Sequence, residues 1–142
     1  MSQFGIGQPV RRREDVHLLT GQGRFVDDLN FPDTAHSHVL RSPHAHARIR
    51  ALDTSTALKC PGVLAIATAA DLARDGISPI PSLYTPLLPP GAPFNLAPQP
   101  ILAGDVVRFV GDPVAFIVAE TLAEAEEAAD SIAIDYEPIA AV

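Results

Sequence analysis

Two apolar, β-branched runs divided by Gly111-Asp112-Pro113 constrain this chain more than any other feature. From Val106 to Tyr136 the sequence reads VVRFVGDPVAFIVAETLAEAEEAADSIAIDY. Arg108 is the only charge between Val106 and Val110, and Val114 to Ala119 carries none. The glycine admits backbone angles closed to other residues, the aspartate can bond its own local backbone, and the proline fixes φ and removes a donor. The pattern predicts strands over 106–110 and 114–119 joined by a tight turn. A helix over 122–131 should follow, because Thr121 and Glu124 stand at capping-box spacing. Leu122, Ala125, Ala129 and Ile132 recur at helical spacing and should lie on a sheet, while Glu124, Glu126, Glu127 and Asp130 keep mostly to the other side. Ile132 to Tyr136 reads as a third strand, ended by Glu137-Pro138. This unit is a scaffold, and its residues compose no catalytic constellation.

The upstream chain adds similar pieces. A strand near 38–41 precedes Arg48 to Leu52, which begins with the polar–apolar alternation of a half-buried strand. Asp53-Thr54-Ser55 can cap a short helix through Lys59, ended by Pro61-Gly62. Val63 to Ala67 reads as a buried strand, and Thr68 and Asp71 repeat the cap-and-acid arrangement for a helical turn to Ala73. The expected fold class is α+β: a small mixed sheet of strands near 38–41, 48–52, 63–67, 106–110, 114–119 and 132–136, with helices packed on one side. Residues 1–19 read as an extended lead-in. Within it Arg11-Arg12-Arg13 could dock on a carboxylate or phosphate, but beside Glu14 and Asp15 they read as a solvated turn. Gly21-Gln22-Gly23 lacks a preceding strand, a following helix and a third glycine, whose place Val26 takes, so it is not a dinucleotide loop. It should instead frame a short strand, Arg24-Phe25-Val26. From Gly76 to Pro100 eight prolines (Pro79, Pro81, Pro86, Pro89, Pro90, Pro93, Pro98 and Pro100) deny helix and central strand. This 76–100 loop holds Leu83, Tyr84, Leu87, Leu88, Phe94 and Leu96, too apolar for a free linker, and should pack on this domain or on another polypeptide.

The chain's 142 residues, 47% apolar and 19% charged, suit a single folded domain over 1–142. With Lys+Arg 10 against Asp+Glu 17 the formal charge is −7, which disfavours nucleic acid or an anionic membrane as partner. One cysteine, Cys60, forbids an internal disulfide and an all-cysteine metal or iron–sulfur site within this chain. No apolar run reaches membrane-spanning length and the amino terminus lacks a signal-peptide core, so a cytoplasmic location is expected.

Few residues suggest chemistry directly. His36 and His38 alternate on one strand face, as do His44 and His46, and imidazole nitrogens so clustered could ligate zinc or copper. Asp33 or Asp53 could complete such a set. Arg41-Ser42-Pro43 divides the pairs, and polar loop and strand-edge histidines are the plainer reading. Asp112 and Glu137, beside prolines at a turn and a strand end, are better explained by local capping than by acid–base hydrolysis.

Several stretches, taken in order, resemble one family. They are Thr20-Gly-Gln-Gly-Arg-Phe-Val-Asp-Asp28, Leu40-Arg-Ser-Pro-His-Ala-His-Ala-Arg-Ile49, Pro61 to Leu72, Leu102 to Ala115, and the closing Ile134-Asp-Tyr-Glu-Pro138. Together they look like the α/β-hammerhead domain that opens the molybdenum-binding large subunit of the xanthine dehydrogenase, aldehyde oxidase and carbon monoxide dehydrogenase family. The resemblance implies an oxidoreductase complex in which molybdopterin inserts a water-derived oxygen into a C–H bond or oxidises carbon monoxide. Iron–sulfur clusters, often with FAD, would then carry the electrons away on other domains or subunits. It also implies that the pterin-binding loops and catalytic glutamate lie beyond Ile139-Ala-Ala-Val142. No catalytic, cofactor-binding or metal residue is therefore expected here. The chain should support a molybdenum-binding catalytic domain or chain, with iron–sulfur and FAD subunits as further partners, and be inactive alone. A stand-alone protein-interaction module on the same fold, using the 76–100 loop as its recognition surface, is the competing expectation.

Overall fold

The computed structural model describes residues 12–29, 31–81 and 99–141. The chain forms two compact units, Met1–Thr34 and Ala35–Val142. In the first, helix α1 (Asp15–Leu19) occupies the end of the expected extended lead-in. Arg12 Nε lies 3.3 Å from Asp15 Oδ1, and the Thr20 hydroxyl donates to the Val16 carbonyl at 2.7 Å, so side chains at both ends favour the turn. Residues 1–11, including Arg11 of the arginine run, lie outside the described residues. The expected strand Arg24-Phe25-Val26 is replaced by a 3-10 turn, Val26–Asp28. Asp28 Oδ2 accepts the Phe25 N–H at 2.9 Å, which satisfies locally a donor that a strand would offer to a neighbour.

Among its described residues the second unit carries six strands and two α-helices. Strands β1 (His36–Arg41), β5 (Pro113–Ala119) and β3 (Val63–Thr68) form one sheet in the order β1-β5-β3; β4 (Val106–Val107), β2 (Ala47–Asp53) and β6 (Ala133–Pro138) form another in the order β4-β2-β6. Every pairing is antiparallel. The α+β class stands, with two antiparallel sheets where one mixed sheet was expected. The division follows from the Ser42–His46 turn. There Pro43 interrupts β1, and the chain restarts at Ala47 beside different partners.

β5 joins the two halves because side chains from both of its faces enter apolar clusters, although Phe116 is 38% exposed. Ala115, Ile117 and Ala119 face helix α3 (Leu122–Asp130) and meet Ala125, Ala128 and Ala129. Val114, one residue out of phase, packs with Ala47, Ala103 and Val107. Leu52 and Ile134, paired across β2 and β6, touch both clusters. A strand apolar on both faces reads as a continuous run, as Val114 to Ala119 does.

The capping box on α3 forms as expected. Thr121 Oγ1 accepts the Glu124 N–H at 3.3 Å, and Glu124 Oε2 accepts the Thr121 N–H at 3.0 Å. The buried face is shifted from the expected one: Ala128 belongs to it, and Leu122, in the first turn, is 48% exposed. Thr68 and Asp71 likewise cap α2 (Ala69–Arg74). The expected helix before Lys59 shrinks to a 3-10 turn, Ala57–Lys59, because Asp53 Oδ1 is taken by the Ser55 N–H at 2.8 Å and caps nothing further on. β3 is less buried than expected: the register slips between Val63 and Ala65, and Leu64 is left 57% exposed. β6 runs through Glu137-Pro138 rather than stopping before it, and Pro138 is paired to Ala47 at the end of an edge strand, where proline is tolerated. Of the proline-rich loop, Ile80 and Gln99 meet in an antiparallel bridge, Ile80 N–H to Gln99 O at 2.9 Å. Residues 82–98, with the apolar side chains singled out above, lie outside the described residues.

Candidate functional site

The most highly organised polar region is the contact between the Arg41-Ser42-Pro43 and Gly111-Asp112-Pro113 segments. The run 106–110, expected to be a strand throughout, pairs only at Val106–Val107 and then turns. The cause is Asp112, which is buried and accepts the Arg108 N–H through Oδ2 at 2.9 Å. Its own N–H donates to the Phe109 carbonyl at 3.2 Å, and its carbonyl accepts the Ser42 N–H at 2.9 Å. Gly111, at φ 90°, turns the chain so that its N–H reaches Ser42 O at 2.8 Å and its carbonyl accepts Arg41 Nη1 at 2.9 Å. Buried Ser42 closes the other side, its hydroxyl accepting the His44 N–H at 3.0 Å. The aspartate is thus a structural clamp with its carboxylate occupied by backbone, as the capping expectation held.

The four histidines are spread over this unit. His36 and His38 lie on β1, and His38 Nδ1 is 4.0 Å from Glu126 Oε1 on α3. His44 and His46 sit in the turn, not on a strand. The His44 ring packs on Tyr136 at 4.8 Å, and His46 Nδ1 lies 2.9 Å from the Ala140 carbonyl. Among the described residues no three His, Cys, Asp or Glu side chains gather as a metal site. Asp33, at φ 60°, belongs to the first unit, and Asp53 is held by Ser55. That backbone bond draws the Asp53 carboxyl below its ordinary range. Glu137 is engaged by Arg50 and lies 4.0 Å from Arg48 Nε. Cys60 Sγ lies 3.7 Å from both Thr56 O and Ser131 Oγ. Burial pushes the Tyr136 phenol up; Ser42 is near it, yet the Ser42 hydroxyl bonds His44 and gives Oη no well-formed hydrogen bond.

Two concavities adjoin this region. A groove of about 320 Å3 runs between α2 and the 100–108 segment, walled by Leu72, Ile77, Ile101 and Leu102, with Asp105 and Arg108 at its polar end. A shallower one of about 380 Å3 is bounded by Ala45, His46, Arg108, Phe109, Val110 and Ala141. The turn fixed by Asp112 leaves Phe109 55% and Val110 66% exposed. Strand periodicity concealed this, because β-branched and aromatic residues look alike in a paired strand and in a clamped turn; the only signal was the glycine and aspartate that follow.

Residues 20–140 match the family described as aldehyde oxidase and xanthine dehydrogenase, a/b hammerhead domain. The chain is similar to the nicotine 6-hydroxylase large subunit of Paenarthrobacter nicotinovorans, 40% identical over 96% of this chain and 16% of that protein. The carbon monoxide dehydrogenase large chain of Afipia carboxidovorans is 38% identical over 95% of this chain and 15% of its own length. Among solved structures, quinoline 2-oxidoreductase from Pseudomonas putida 86 superposes with a TM-score of 0.82 at 43% identity, over 96% of this chain and 17% of that one. The chain therefore spans about one-sixth of the length of each of these relatives. Its match over 20–140 and its fold together place it in the a/b hammerhead domain family of aldehyde oxidases and xanthine dehydrogenases.

Proposed function

We propose that residues 1–142 act as one supporting domain of a molybdopterin-dependent oxidoreductase and carry out no oxidation by themselves. The observation that carries this reading is coverage: nearly the whole chain aligns with about one-sixth of oxidoreductase large subunits. The rest of such an assembly would supply molybdopterin, iron–sulfur clusters and often FAD. The partner of this chain is then the molybdenum-binding catalytic polypeptide, working in the cytoplasm. No helix among the described residues is long and apolar enough to cross a membrane.

The described residues do not fit a pterin cofactor. A phosphorylated pterin calls for convergent N–H donors and cations around its anionic group. In the groove beside α2, Arg108 and the acidic Asp105 both line the wall and most of it is aliphatic. We therefore assign no residue here to the cofactor, and no step of the reaction to this chain.

The test is turnover. Purified chain supplied with molybdenum cofactor should oxidise neither an aldehyde, a purine nor carbon monoxide with an artificial electron acceptor. Addition of the molybdenum-binding polypeptide should yield a complex that copurifies and turns over. Oxidation by the isolated chain would overturn the reading.

A further inference from the structure

The Asp112 turn exposes two adjacent large apolar residues, Phe109 and Val110, on backbone held by several hydrogen bonds. Such residues cost little ordering entropy on binding, since the loop that bears them is already fixed. Cations flank them. Arg41 bonds Gly111 within the turn, and Arg108 and His46 line the adjoining groove. Among the described residues neither Arg41 nor Arg108 pairs with a carboxylate, although the chain carries −7 overall. The groove also contains Ala141.

We propose that Phe109 and Val110 form an apolar knob, flanked by Arg41, Arg108 and His46, that docks in an apolar pocket with carboxylates on its rim, on the molybdenum-binding polypeptide. This rests on the supporting-domain reading above. The relatives place most of their length outside the segment this chain matches, so a large partner surface is available in any such assembly. The positive rim sets the sign of that surface: it repels a basic face and steers an acidic one. A rigid aromatic seated in a pocket, ringed by polar contacts, is how binding energy concentrates in an interface.

The experiment titrates the full 142-residue chain with the separately expressed molybdenum-binding polypeptide by calorimetry, and follows association rates by surface plasmon resonance. Phe109→Asp should weaken binding by about 30-fold or more, as loss of a central anchor does. Arg108→Gln should mainly slow association and reduce its salt dependence. Leu64→Asp, on exposed β3, should bind like the parent. Thermal melts of all variants check folding, and Val110→Asp replaces Phe109→Asp if the latter melts early. Equal affinity of parent, Phe109→Asp and Val110→Asp would overturn the knob while leaving the supporting-domain reading intact. Absence of binding by the parent would overturn both, and self-association of the chain abolished by Phe109→Asp would assign the knob to a second copy instead.

Discussion

Asp112 is a buried carboxylate that pairs with no cation among the described residues; it holds the Arg108 N–H. Hydrogen bonds to charged groups contribute roughly 1.5–3 kcal/mol net, and a buried N–H left without a partner costs about 1–3 kcal/mol. Asp112→Ala should therefore lower stability by about 2 kcal/mol in urea denaturation. Asp112→Asn, which keeps an acceptor, should cost less. A carboxylate with a different duty is Asp71, whose bonds from the Thr68 hydroxyl at 2.6 Å and the Thr68 N–H at 2.8 Å draw it below its ordinary pKa of 3.8. A depressed folded-state pKa means the charged form is favoured by folding. Its contribution is complete above the unfolded value and is lost as pH falls through the lower, folded one. The urea midpoint should thus fall below pH 3.8, and Asp71→Asn should flatten part of that acid limb while lowering stability at neutral pH. An acid limb unchanged by the substitution would mean that the bonds from Thr68 do not favour the ionised carboxyl.

Helix α3 shows how far an element can be read from its own residues. Its cap was legible because Thr121 and Glu124 need only each other, three residues apart. Its buried face was only half legible: alanines occupy both sides of the stripe, and which of them touch β5 depends on a crossing angle that the sequence does not carry. Ala125→Glu should cost several kcal/mol, since it places an unpaired charge between α3 and β5. Leu122→Glu should stay within about 0.5 kcal/mol of the parent. Equal melting of the two variants would reverse the assignment of the face. The turns before β3 and after α2 offer a matched pair of glycines. Gly62 (φ 73°) and Gly76 (φ 72°) share a left-handed backbone. A Cβ on Gly62 would run into the Glu124 carboxylate, whereas one on Gly76 meets nothing within 4 Å. Gly76→Ala should cost only the backbone term, about 1 kcal/mol. Gly62→Ala should cost more, because it must also push Glu124 out of the cap.

Across the molecule, most strands and both α-helices among the described residues of the second unit were legible in the sequence. The strand over 106–110 shortens to Val106–Val107, the helix before Lys59 shrinks to a 3-10 turn, and the distribution between sheets was not legible. Both faces of β5 are apolar, so its alternation names no preferred partner, and the separation depends on contacts between β1, β3 and β5 that are distant in sequence. The histidines illustrate the same limit: spacing placed His36 and His38 on one strand, yet nothing local revealed that His44 would stack on Tyr136 and His46 would hold Ala140. This arrangement makes stability uneven in a definite way. β5 is hydrogen-bonded on both edges and sends side chains from both faces into apolar clusters, so its amides should exchange only when the second unit opens as a whole. Helix α1 has five residues and no buried side chain, and a single turn gains too few hydrogen bonds to offset nucleation. In hydrogen-exchange mass spectrometry or NMR, Ala115, Ile117 and Ala119 should be the slowest amides, with protection that falls in step with global stability as urea is added. Leu18 and Leu19 should exchange orders of magnitude faster and respond little to urea, because local fraying exposes almost no apolar surface. Comparable protection of α1 and β5 would mean that α1 opens only with the core, and its unburied side chains give no physical reason for that.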